Sequence, residues 1–119
     1  MNRREYPRIS LLGKIVINPL DSVDSINGYA INISRGGLSL YADNAFDINT
    51  GLLLTIFFKY DFGEEAENVA GVVRWIKPVG NIFAVGVQFK DIREETHPMI
   101  FTYLEATMNL SRPRSSVGD

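Results

Sequence analysis

Apolar and polar positions alternate along most of the chain up to Lys90, and the alternation predicts short β-strands between turn signals. Lys14 to Asn18 is rich in β-branched residues, and Asn18-Pro19 ends it. Asn27-Gly28 reads as a hairpin-type turn. From Tyr29 to Ser34, Ile31 and Ile33 fall on one face and Asn32 and Ser34 on the other. Arg35-Gly36-Gly37 reads as a turn, and Leu38 to Ala42 alternates again with Leu38 and Leu40 inward. Leu52 to Tyr60 is a longer run that predicts a more fully buried strand. Asp61 to Glu65, with Gly63, reads as a polar loop. Asn68 to Lys77 and Asn81 to Lys90 pair through a Pro78-Val79-Gly80 turn, with Gly71 and Gly86 inside them as signs of bulges or barrel corners. Six short strands at regular spacing predict a mainly all-β fold, an antiparallel barrel or sandwich, and closure into a barrel removes exposed edges.

The period then changes. Between Arg93 and Leu110, Ile100, Leu104 and Met108 recur every four residues with Phe101 beside them, which predicts one apolar face of a C-terminal helix packed on the barrel or plugging one end. Pro98 suits its first turn, with Thr96 or His97 as cap. Residues 1–110 thus read as one domain, with an arm at residues 1–10 and a helix at about 93–110. Residues 111–119 read as a disordered polar tail.

Composition narrows the function classes. At 119 residues the chain is a single domain, and 45% hydrophobic residues suffice for a core without crosslinks. No cysteine is present, which removes disulfides, thiolate catalysis and most zinc sites and fits a cytoplasmic protein. The longest apolar stretch, Leu52 to Phe58, is too short for a membrane span, and the first residues lack a signal-peptide core. The net charge of −2 argues against general nucleic-acid or anionic-lipid binding. The charge is uneven, however: Arg3, Arg4, Arg8 and Lys14 face only Glu5 in the first fourteen residues. Asp43, Asp47, Asp61, Glu64, Glu65 and Glu67 face only Lys59 further on. A cationic arm on a mildly acidic body points to a local anion site.

Enzyme readings are weak. His97 is the only histidine and stands at a helix start, so no nucleophilic dyad can be assembled with a serine. Glu64, Glu65 and Glu67 lack the ordered spacing of a calcium loop and read as solvated loop acids, leaving no metal site and no cofactor. Glu94 and Glu95 read as first-turn helix acids favoured by the macrodipole.

Two clusters carry more. Arg4 and Arg8 are four apart in Arg3-Arg4-Glu5-Tyr6-Pro7-Arg8, where Pro7 disfavours a helical Tyr6. In an extended chain both side chains fall on one side, roughly 13 Å apart. Paired guanidiniums suit phosphate oxygens, which arginine grips as a fork, or guanine, whose O6 and N7 it meets with two bonds. The plain alternative is a solvated basic arm. Asn32-Ile33-Ser34-Arg35-Gly36-Gly37 places an amide and a hydroxyl on one strand face, followed by glycines that allow positive φ and close approach of a ligand. Here the plain alternative is an outward polar strand face and a hairpin.

Taken together and in this order, the two clusters resemble the paired motifs of the PilZ domain family: Arg, three residues, Arg, then Asp or Asn, any residue, Ser, two residues, Gly. Arg4 and Arg8 fill the first, and Asn32, Ser34 and Gly37 the second. The strand count, Gly86 to Phe89 and the final helix are also similar, so the resemblance covers roughly residues 3–110. It implies a six-stranded antiparallel β-barrel with a C-terminal α-helix, and a bacterial receptor for the second messenger cyclic di-GMP. Carried over, Arg4 and Arg8 would contact guanine and phosphate, Asn32 and Ser34 would hydrogen-bond them, and Gly37 would keep the turn open. In similar proteins an arginine at the place of Arg3 can accompany two stacked nucleotides. Arg35 and Gly36 lie inside the motif without being fixed by it. Trp75 has two readings, barrel core among Val72, Val73 and Ile76, or a ring stacked on a guanine at the edge of the site.

The arm carries three arginines with only Tyr6 and Ile9 as apolar anchors, so it is expected to be mobile until a dianionic ligand neutralises it. Its ordering would present a changed surface to a downstream protein partner. The competing reading within the family is an adaptor that works by protein–protein contact with weak or no nucleotide binding. A barrel for single-stranded nucleic acid lacks a strand face combining aromatic and basic residues, and a hydrolase lacks a catalytic set.

Overall fold

A computed structural model describes residues 9–111, with side chains described through Thr107. Six strands and one helix follow in order: β1 (Ile9–Pro19), β2 (Ile26–Ile33), β3 (Gly37–Ala42), β4 (Gly51–Tyr60), β5 (Gly63–Val79), β6 (Ile82–Phe89) and α1 (Pro98–Ser111). The strands close an antiparallel barrel in the order β1-β2-β3-β6-β5-β4. The pair that closes it, β1 with β4, runs from Ile9↔Tyr60 to Pro19↔Leu52.

Closure leaves every strand with two neighbours, so the strands run longer than their apolar patterns. β1 reaches back to Ile9, and its register against β4 shifts between Leu11 and Ile15 around Gly13, which sits at φ 98. Asn27-Gly28 is no turn: Asn27 pairs with Val16 and Gly28 with Ile15, because residues 20–25 make the connection instead. The acidic loop expected over Asp61 to Glu65 shrinks to a turn at Asp61 and Phe62. Glu64 and Glu65 then enter a 17-residue β5, pairing with Lys59 and Phe58. The β5–β6 hairpin turns at Gly80-Asn81, since Pro78 and Val79 still pair with Phe83 and Ile82.

The interior is filled by side chains, as in a small barrel. Ile15, Ile17, Leu40, Leu52, Leu54, Ile56, Phe58, Val69, Val73 and Val85 are fully buried, each contributing about 1.5–3 kcal/mol of transfer free energy. Leu38 and Leu40 point inward as their alternation requires. β4 is not buried throughout, as the run of apolar residues suggests, but alternates strictly. Leu53 and Phe57 are half-buried on its outer face, where the Lys14 ammonium lies 4.8 Å from the Phe57 ring centroid.

α1 packs against β1 and β5 at the barrel end where β4 finishes and β1 begins. Ile100 is fully buried, Met99, Tyr103 and Leu104 are partly buried against the core, and the Tyr103 ring lies 5.8 Å from that of Phe58. The Met108 side chain lies outside the described residues, as do residues 112–119. The helix starts at Pro98 rather than near Arg93, so Glu94 and Glu95 precede it and its first turn holds no acid of its own. The carboxylate favoured there comes from across the fold. Glu67, on β5 and 9% exposed, accepts hydrogen bonds from Met99 N–H and Ile100 N–H, both at 2.8 Å. Glu67 is therefore a buried helix cap, not a solvated loop acid. His97 precedes the helix and its carbonyl accepts the Phe101 N–H at 3.3 Å, while its Nδ1 faces Thr96 Oγ1 and Arg93 N–H.

Candidate functional site

Four adjacent strands, β2, β3, β6 and β5, share an open cleft of about 360 Å3 on the outer wall of the barrel. It is lined among others by Asn32, Ser34, Gly37, Arg74, Trp75 and Gln88, and among the described residues no carboxylate lines it. Two β-bulges put these side chains there. On β2, Ala30 pairs with Leu40 and Asn32 with Ser39, so Ile31 is one residue extra. Ala30 is buried, and the extra residue turns both Ile31 (41% exposed) and Asn32 outward before Ile33 returns to the core. The expected shared face of Ile31 and Ile33 is thus broken by the bulge. On β5, Val73 pairs with Val87 and Trp75 with Gly86, leaving Arg74 extra. Strict alternation after buried Val73 would send Trp75 inward, but the bulge exposes Arg74 and Trp75 together.

Of its two readings, barrel core and cleft edge, Trp75 takes the second position: it is 45% exposed and lines the cleft. Its indole lies over Gly86, where a built Cβ would fall within the ring. An interior strand glycine marks that close approach.

The turn after β2 is pinned on both sides. Ser34 N–H and Ser34 Oγ donate to the Gly37 carbonyl at 2.8 and 3.3 Å, and Phe89 N–H on β6 donates to the Gly36 carbonyl at 2.8 Å. Neither Gly36 nor Gly37 takes the positive φ expected of this turn. Gly37 is required for a different reason: a Cβ there would overlap the Val87 carbonyl oxygen. Gly36 faces open space. Arg35 is turned towards α1, its guanidinium carbon 5.2 Å from the Phe101 ring centroid.

Arg74 and Gln88 join the cleft without any sequence motif to announce them. Arg74 Nε donates to Gln88 Oε1 at 2.6 Å and Nη1 to Asn49 Oδ1 at 2.9 Å. The available signal is the pair Arg74-Trp75 following two valines, with Gly86 in the facing strand. Arg3, Arg4 and Arg8 lie outside the described residues. β1 is antiparallel to β2, so Ile9, which follows Arg8, begins its strand at the barrel end where β2 finishes at Ile33, just before Ser34.

The sequence profile of the PilZ domain family matches residues 2–106. Among solved structures, that of the Bacillus subtilis inhibitor of motility MotI/DgrA is similar, with a TM-score of 0.68 and 20% identity. The alignment covers 95% of this chain and 55% of that one, so the chain spans about half the length of this neighbour, and the likeness is one of fold. No curated protein matches it in sequence. With a profile match over nearly its whole length, carried on a closed six-stranded barrel with a C-terminal helix, the chain belongs to the PilZ domain family.

Proposed function

We propose that the chain is a cyclic di-GMP receptor in which the Arg4–Arg8 arm closes over the cleft and the ordered arm presents a new surface to a protein partner. The PilZ family is one of cyclic di-GMP receptors, whose members bind or adapt rather than catalyse. The observation that carries the reading is the convergence of Asn32, Ser34, Gly37 and Trp75 on one cleft without a carboxylate among the described residues, at the barrel end where Ile9, the residue after Arg8, begins β1. Asn32 offers an amide and Ser34 a hydroxyl to guanine or phosphate, Trp75 offers a ring for stacking, and Arg4 and Arg8 bring charge and forked donors. Arg3 adds charge beside them and would accompany a second, stacked nucleotide. Ordering the arm costs about 1–2 kcal/mol per residue in backbone entropy, so several contacts must form together. The Arg35 contact with Phe101 supports a route from the motif turn to α1. Among the described residues no helix is long and apolar enough to cross a membrane, and the action we propose is in the cytoplasm.

Trp75 is the only tryptophan, so its emission reports on the cleft alone. Cyclic di-GMP is expected to change that emission saturably, with GMP and cyclic di-AMP far weaker. An emission indifferent to cyclic di-GMP, together with no heat of binding, would support the adaptor reading instead.

A further inference from the structure

We infer that Arg74 is a fixed anion contact of the cleft, receiving a phosphate oxygen of the cyclic dinucleotide; this rests on the receptor reading above. Arg74 is the extra residue of the β5 bulge, the device that aims it and Trp75 at the same cleft. Its guanidinium is held by two neutral acceptors, Gln88 Oε1 at 2.6 Å and Asn49 Oδ1 at 2.9 Å. Asn49 is itself tied to the barrel, its N–H donating to the Val73 carbonyl at 2.8 Å with φ at 76. Amide oxygens orient the cation without cancelling its charge. Among the described residues Arg74 has no carboxylate partner, and its two bonds leave three of the five N–H donors of a guanidinium free. Acids are plentiful in this chain, 14 against 12 Lys and Arg, yet among the described residues none meets the Arg74 guanidinium. The arrangement instead keeps one full positive charge, already oriented, on a wall that also presents Asn32 and Ser34. Charge-assisted bonds from such a donor suit a phosphodiester oxygen. Arg74 supplies its charge from the barrel wall itself, at a fixed position beside Trp75.

The test is calorimetric titration of the full chain with cyclic di-GMP at about 0.05 M and about 1 M salt. Wild type, Arg74→Gln, Arg74→Lys and Asn49→Gly are compared. Asn49→Gly keeps the positive φ accessible and removes only one of the two bonds that orient Arg74. At low salt Arg74→Gln is expected to bind roughly 10- to 100-fold more weakly, Arg74→Lys to fall between it and wild type, and Asn49→Gly to lose roughly 2- to 10-fold. The Arg74→Gln deficit should narrow at high salt, where the contact is screened, while a purely structural defect would not. Equal affinity of wild type and Arg74→Gln, or a deficit identical at both salts, overturns the inference and leaves the receptor reading standing. Failure of the wild type to bind at all overturns both.

Discussion

Trp75 and Gly86 are coupled by sterics alone. A methyl group at Gly86 would occupy the space of the indole, so Gly86→Ala is expected to push Trp75 out of the cleft and cost about 1–3 kcal/mol. A shifted emission maximum together with a lower denaturation midpoint checks this; unchanged emission would mean that the ring does not rest there. A second expectation concerns Tyr60. Its phenol donates to Glu65 Oε1 at 2.9 Å, and that bond, then burial, then the carboxylate charge raise its pKa above the ordinary 10.0. A raised value means that the folded state prefers the protonated phenol. The resulting contribution to stability is present below the unfolded pKa and lost as pH rises through the folded one. In a titration followed by the Tyr60 ring signals, ionisation should begin at higher pH than in a free phenol, and Glu65→Gln should lower it.

Bulges and caps, at the scale of elements, separate what the sequence makes legible from what it hides. Alternation exposes the six strands because the inward side of each must be apolar, as Leu38 and Leu40 or Leu52, Leu54, Ile56 and Phe58 show. The polar pair Asn32 and Ser34 is legible for the same reason. A bulge leaves no such trace, because one inserted residue looks like ordinary sequence until its partner strand is known. Ile31 therefore reads as inward and is exposed, and Trp75 reads equally well as core or rim. The glycine at 86 is the one mark of the second bulge, and it reveals that something approaches closely without naming the Trp75 ring. Glu67 is hidden by distance: it caps a helix 32 residues further along, which no local spacing can indicate. Glu67→Ala is expected to strip both first-turn N–H groups of α1 of their acceptor. The variant should lose about 1–3 kcal/mol and some helical signal in circular dichroism, while the strand signal persists. A helix signal equal to wild type would show that α1 is held by its apolar face alone.

For the whole molecule, the closed barrel and helix form a platform with the cleft on its wall, and a cationic segment precedes its first strand. The core that holds this platform is one cluster reaching from β1 to α1, with Phe58 fully buried in it against Tyr103. Phe58→Ala should cost about 3–5 kcal/mol in a denaturant titration and weaken ligand binding only by unfolding the site. Cleft variants should show the opposite, an intact fold and lost affinity. If the arm closes on the cleft, amide exchange in residues 3–10 should slow when ligand is added, and so should exchange in the Ser34–Gly37 turn. The most direct measurement is calorimetric titration with cyclic di-GMP of the wild type beside Arg8→Ala and Ser34→Ala. Saturable heat for the wild type, with at least tenfold weaker binding in both variants at unchanged thermal stability, is the expected result. Wild-type affinity in both variants would show that arm and cleft do not grip a common ligand.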